Sequence, residues 1–360
     1  MKTAAFITIH VGFNIGSKLQ TIATFEVLKK IGLNPICVNY IPPRVTHRRY
    51  WETAIKSPMK FMWRVIYYPI HLVTERNFDG YLAKYCKMSA PICIEDDFIS
   101  KCPKADIYVS GSDQLWNSIH NEGIDTHYFF DGIRGAKIAF ASSIGMTYLP
   151  EKYARYMKKQ LTDYKAISVR ETSAVGILKR MGIESIQVLD PTFMLDKNEW
   201  IQFASKRIVK KNYLFVYLPY NIKDKDLVYQ TVHKIAQKKK LTIVSYSDNI
   251  IKDKYADKTI YFVTPGDVLS LIMNAEVVVT NSFHGTAFSI NLNKQFWTYM
   301  PSKFSTRITS LLDLCELNDR LLEHIISDCQ IDEVINYNQT NTILQQERQK
   351  ACHFLTKALQ

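Results

Sequence analysis

One histidine in this chain stands in a setting that suits proton transfer. His284 lies in the stretch 277–289, VVVTNSFHGTAFS, where three valines give way to Thr280, Asn281 and Ser282 and His284-Gly285 then opens the next apolar run. An imidazole exchanges protons near neutral pH, and N–H groups at a helix start attract anions. Ser282 and Gly285 are therefore expected contact residues beside a catalytic His284, the alternative being a histidine that only packs. A second candidate is Asp113, in 105–117, ADIYVSGSDQLWN, where an apolar run ends in polar residues. A carboxylate beyond a strand's carboxyl end can orient or deprotonate a hydroxyl, with Gln114 and Asn117 hydrogen-bonding its neighbours. The competing reading is a cap for the following segment.

Cations complete the inventory. In 166–171, AISVRE, a strand-like run delivers Arg170, whose planar guanidinium can take phosphate or carboxylate in bidentate fashion. A structural ion pair, with Glu171 or a similar group, is the alternative. In 302–312, SKFSTRITSLL, Lys303 and Arg307 precede an apolar helical face and are expected to close over a phosphate or to remain solvated surface charge. Near the start, HVGFNIGSKLQTIA (10–23) places Asn14 and Gly16 in a loop before a helix. Its amides could face an anionic or polyhydroxyl ligand, or its glycines could only turn the chain.

These residues must be held by elements that the hydrophobic pattern outlines. Short β-branched runs alternate with amphipathic stretches along the chain, the pattern of an α/β protein with parallel sheets. Strands are expected over 5–9, 35–39, 107–110, 138–142, 166–169 and 186–189 in one sheet, and over 213–218, 242–245, 259–262, 277–280 and 296–299 in another. Two Rossmann-like domains follow, 1–195 and 196–335, with the boundary between Pro191 and Asn212 and a C-terminal helix within 338–360 packing back on the first domain. The insertion 51–98 breaks the alternation. Its segment 60–68, KFMWRVIYY, mixes aromatics with cations and is expected to be a lid helix packed on the protein or a helix lying in a membrane interface. The acidic run 95–97 reads as a solvated helix start.

The chain has 360 residues, enough for two cores. Its net charge of +12 points to an anionic partner. The basic residues are scattered and lack an arginine-rich arm or zinc-finger spacing, so nucleic acid is not expected. Seven cysteines without a CxxC pair suit free thiols in a reducing compartment. With neither a secretory pattern at the start nor a long apolar span, the expectation is a cytoplasmic protein, free or at the inner face of the cytoplasmic membrane.

Taken in order and separated by α/β units, NIGSKLQTIA (14–23), GSDQLWN (111–117), SVRE (168–171), SFHGT (282–286) and TRITSLL (306–312) resemble the polysaccharide pyruvyltransferase family. The resemblance implies a GT-B-like fold and transfer of a pyruvyl group from phosphoenolpyruvate to a sugar, with ketal formation and release of phosphate. It implies that His284 is catalytic and that Arg170 and Arg307 bind the donor. It needs no cofactor and no metal, and the sequence carries no HExxH. The acceptor is expected to be a lipid-linked oligosaccharide or glycan. Members often have Arg-Leu-His, or a lysine, where this chain reads Ser282-Phe283-His284 and Arg307. Two rival readings are a nucleotide-sugar glycosyltransferase of the same architecture and a non-catalytic membrane-surface binding module.

Overall fold

The computed structural model describes residues 1–55, 57–247, 250–301 and 306–360. The chain divides into two compact units, Met1–Met194 with Glu347–Gln360, and Leu195–Gln346.

The first unit contains eight strands: β1 (Thr3–Ile7), β2 (Asn34–Cys37), β3 (Tyr40–Ile41), β4 (Ile92–Cys93), β5 (Ile107–Ser110), β6 (Ala136–Ser142), β7 (Tyr164–Val169) and β8 (Ile186–Gln187). Six form a parallel sheet in the order β2-β1-β5-β6-β7-β8, while β3 and β4 pair separately. The order reverses beside β1, so the crevice beyond the carboxyl ends of β1 and β5 is this sheet's natural ligand position. The strands are buried runs such as Ile107–Ser110, because a parallel sheet is covered on both faces.

The second unit contains β9 (Tyr213–Tyr217), β10 (Thr242–Ser247), β11 (Lys258–Tyr261), β12 (Val277–Thr280) and β13 (Gln295–Thr298), in the order β11-β10-β9-β12-β13 with every pair parallel. Its reversal lies between β9 and β12. The core on one face joins Leu214, Val216, Val277 and Val279 to Val228, Val232 and Ile235 of helix Lys225–Lys239.

Some elements differ from the pattern in the sequence. β1 ends at Ile7 rather than Ile9, because the Thr8 hydroxyl turns to donate to the Ser112 carbonyl at 2.6 Å. The terminal helix begins earlier than expected, spanning Tyr337–Leu359, and the division between the units falls within it. The insertion folds as two helices, His47–Ile55 and Pro58–Tyr85. Of the second, 28 residues long, only Thr74, Phe78 and Leu82 are buried. Its first half leaves Met59, Met62, Trp63, Val65 and Ile66 at least half exposed, so a lid packed down on the protein is not what this half forms. Asp97 caps helix Phe98–Lys101 by accepting from the Ile99 and Ser100 amides, which accounts for the acidic run there. All seven cysteines are free, and burial pushes the Cys37 and Cys86 thiols up. No helix among the described residues is long and apolar enough to cross a membrane.

Candidate functional site

In the second unit, β12 ends at Thr280 and helix Phe283–Asn291 starts three residues later, so His284 occupies its second position. The intervening turn is fixed by hydrogen bonds. The Thr280 hydroxyl donates to the Tyr217 carbonyl at 2.8 Å and accepts from the Ser282 amide at 3.1 Å. Asn281 grips the far side of the crevice, its amide nitrogen donating to the Tyr220 carbonyl at 2.7 Å. Gly285 is required by space: a Cβ there would lie 2.2 Å from Thr280 Oγ1 and 2.7 Å from Tyr217 Cδ1, inside any real contact. Phe283 stands edge-on to the His284 ring with centroids 5.1 Å apart, and the Arg307 guanidinium lies 5.4 Å from the Phe283 centroid on its other contact. His284, Ser282 and Arg307 are all buried. The structure thus brings His284, Ser282, Gly285 and Arg307 to one strand-end crevice, whereas Lys303 lies outside the described residues.

In the first unit the polar residues beyond β5 and β7 form one buried network. Asp113 takes a left-handed backbone, φ 77°, which an aspartate tolerates better than most residues and which marks a constrained position. Its Oδ2 accepts from the Ser17 hydroxyl at 2.6 Å, and its Oδ1 from the Gln114 amide at 2.9 Å and the Arg170 guanidinium at 3.1 Å. Arg170 also donates to Asp190 at 2.6 Å and to the Ser112 hydroxyl at 3.3 Å. Burial works against its charge, but Asp190, Asp113 and Glu171 outweigh that and hold its proton more tightly than usual. With its side chain fully enclosed, Arg170 realises the structural ion pair rather than an open phosphate clamp, and its partners are Asp190 and Asp113 with Glu171 farther off at 3.9 Å. Glu171 instead organises the loop after β6, accepting from the Ser143 hydroxyl at 3.0 Å and from the Ile144 and Gly145 amides, each at 2.8 Å.

Gln114 and Asn117 turn toward each other, Asn117 donating to Gln114 Oε1 at 2.7 Å, and Asn117 also accepts from the Ile119 and His120 amides. Asn117 is completely buried, and these bonds shape the loop after β5. Asn14 is exposed and caps helix Ile15–Lys30 by accepting from the Ser17 amide at 3.1 Å, and Gly16 lies buried in its first turn. This cap sets Ser17 against Asp113, which links the first loop to the network.

Two participants, Asp190 and Ser17, carry no signal in the sequence pattern, since Asp190 stands before a proline and Ser17 beside a glycine. A cavity of about 320 Å³ beside β1 and β2 was missed altogether; His10, Asn39, Glu75 and Asp79 are its polar walls. His10 lies with Nδ1 3.2 Å from the Thr8 carbonyl and Nε2 3.0 Å from Asn39 Oδ1. Burial and then the Lys18 charge lower its proton affinity. Lys18 is itself enclosed and reaches Asp79 at 2.6 Å, its own affinity lowered because burial outweighs that partner.

Comparison with known proteins agrees with this architecture. Over 96% of its length the chain superposes on 92% of a UDP-GlcNAc 2-epimerase from Methanocaldococcus jannaschii, with a TM-score of 0.52 and 13% identity. Over 99% it superposes on all of the Anabaena protein HepE, whose crystal structure holds UDP and glucose, with a TM-score of 0.50 and 7% identity. Identities this low establish the fold alone: two parallel-sheet α/β units of the GT-B type. No curated protein matches the sequence. The family model of the polysaccharide pyruvyl transferases matches residues 14–302, most of the chain and every motif from the first loop through the His284 helix, and the chain belongs to that family.

Proposed function

We propose that the chain transfers the pyruvyl group of phosphoenolpyruvate to two hydroxyls of one sugar in a lipid-linked polysaccharide precursor. The observation that carries this reading is His284 at a helix start beyond β12, packed through Phe283 to Arg307 within one unit. Family membership supplies the reaction class.

In this reading a proton from the His284 imidazole adds to the methylene carbon of phosphoenolpyruvate, and positive charge develops at C2. One sugar hydroxyl adds to C2 and gives up its proton. The C2–O bond to phosphate then breaks, phosphate leaving with the bonding pair and one proton, and the second hydroxyl closes the ketal while returning a proton to the base. Positioned proton transfer contributes about 10² to 10⁴ in rate. Arg307 and the amides at the start of helix Phe283–Asn291, with Ser282 and Gly285, hold the donor's anionic groups. Within the first unit, Ser17 and Arg170 fix the Asp113 carboxylate for hydrogen bonding to a sugar hydroxyl. Arg170 is thereby a positioning residue.

Incubation of the purified chain with phosphoenolpyruvate, and in parallel with nucleotide sugars, and a panel of lipid-linked and synthetic glycosides, followed by mass spectrometry, tests the proposal. A gain of one carboxyethylidene group with release of phosphate is expected. A hexose gain from a nucleotide sugar would replace it with glycosyl transfer, and acceptor binding without turnover of phosphoenolpyruvate would leave only a binding module.

A further inference from the structure

We propose that His47, His71 and Glu75 form a site for one divalent transition-metal ion of the zinc class, clipping together the two helices of the insertion. One ligand atom from each of the three lies within 4.8 Å of the others. His71 and Glu75 stand four residues apart on helix Pro58–Tyr85, a spacing that puts both on one helical face. His47 opens the neighbouring helix His47–Ile55. The three donors thus come from two helices that also pack together through Tyr50, Trp51 and Tyr68.

The geometry is close to what such an ion needs. Four-coordinate zinc has ligand bonds of about 2.0–2.1 Å, which places ligand atoms roughly 3.4 Å apart. His47 Nε2 and Glu75 Oε2 are already 3.2 Å apart, and a ring nitrogen of His71 lies within 4.8 Å of both. The other nitrogen of His47, Nδ1, lies 3.4 Å from the Tyr68 hydroxyl, an outer partner of the kind that fixes which ring nitrogen faces a metal. An aromatic wall backs the third ligand: the His71 ring centroid lies 4.6 Å from that of Tyr50 and 4.7 Å from that of Phe13. Two imidazoles and one carboxylate select zinc, copper, nickel or cobalt over magnesium or calcium, which favour all-oxygen sets. Three protein ligands also leave a coordination position for water or another oxygen. Glu75 is at the same time a wall of the 320 Å³ cavity lined by His10, Asn39 and Asp79, so ion and cavity share a residue. An ion here answers to different residues from those of pyruvyl transfer, and its binding can be read without turnover.

The test is titration of the metal-free full-length chain with Co²⁺, followed by its visible d–d absorption, and with Zn²⁺ by calorimetry. One equivalent is expected to bind with micromolar or better affinity. Zn²⁺ should displace the Co²⁺ signal, and Mg²⁺ should leave it unchanged. His47→Ala, His71→Gln and Glu75→Gln should each weaken binding at least 10-fold while far-UV circular dichroism stays the same, and His10→Gln should not. Zn²⁺ should raise the wild-type melting temperature by several degrees and leave that of the His47→Ala/Glu75→Gln double variant unmoved. Absence of a micromolar equivalent in the wild-type chain, or equal affinity in the double variant, would overturn the site and reduce the trio to a surface ion pair with a histidine beside it.

Discussion

Arg170 shows how far a side chain's type can mislead about its task. A guanidinium at a strand end is a natural phosphate ligand, yet here it sits fully enclosed among Asp190, Asp113 and Glu171. Its removal leaves three carboxylates buried together without a cation, and breaking such a pair costs about 3–5 kcal/mol. Arg170→Met is therefore expected to lower the unfolding free energy by about that much, read as a lower denaturant midpoint at unchanged slope. Adding Asp190→Asn should restore part of the loss, because it removes one uncompensated charge. An open donor clamp would behave differently, raising KM for phosphoenolpyruvate with stability intact. The residues around it were invisible as a set in the sequence: Ser17, Ser112 and Asp190 are far apart in the chain, and only the parallel order of β1, β5 and β7 brings them to one edge.

At the level of elements, the sequence was most legible where burial is complete and polar residues end the run. β5 and β12, Ile107–Ser110 and Val277–Thr280, fall where the apolar pattern puts them because every residue in them is buried. The two-residue pair β3 and β4 has no such signal, since too few residues repeat and the insertion separates its halves. Lys18 was equally hidden, a lysine ordinarily reading as solvent-facing, while here helix Ile15–Lys30 buries nearly all of its residues and the ammonium escapes only as far as Asp79. The insertion helix has the opposite character, an apolar first half left exposed beside Lys60 and Arg64. Exposed apolar surface flanked by cations suits an anionic lipid surface. Binding to vesicles containing anionic lipid is expected to fall several-fold in Phe61→Ser/Trp63→Ser, measured by sedimentation. Unchanged binding would remove the helix from membrane contact.

For the whole molecule, charge and burial combine to set its response to pH. The formal charge is +12, so acidification adds repulsion to a chain that is already cationic. His10 gives this a specific source. Burial and Lys18 lower its affinity for a proton below the ordinary value of 6.5, with the Asn39 side chain, the Thr8 carbonyl and Asp79 acting in the other direction. Well above pH 6.5 neither the folded nor the unfolded imidazole is charged, and the full stability is present. As pH falls below 6.5 the unfolded chain takes up a proton that the folded chain resists, so stability declines through the window down to the lowered folded value. The melting temperature is expected to drop between pH 7.5 and 5.5, with a shallower slope in His10→Gln. An identical slope in that variant would show that His10 is not the source.

The proposed chemistry rests on the His284 imidazole in the first turn of helix Phe283–Asn291. Phosphate release from phosphoenolpyruvate in the presence of acceptor, compared between the wild-type chain and His284→Ala at matched folding, tests it directly. Loss of about 10² to 10⁴ in rate, with the melting temperature preserved, is the expected result for a residue that moves the proton. Release at the wild-type rate would contradict the account and return His284 to the packing of the second unit.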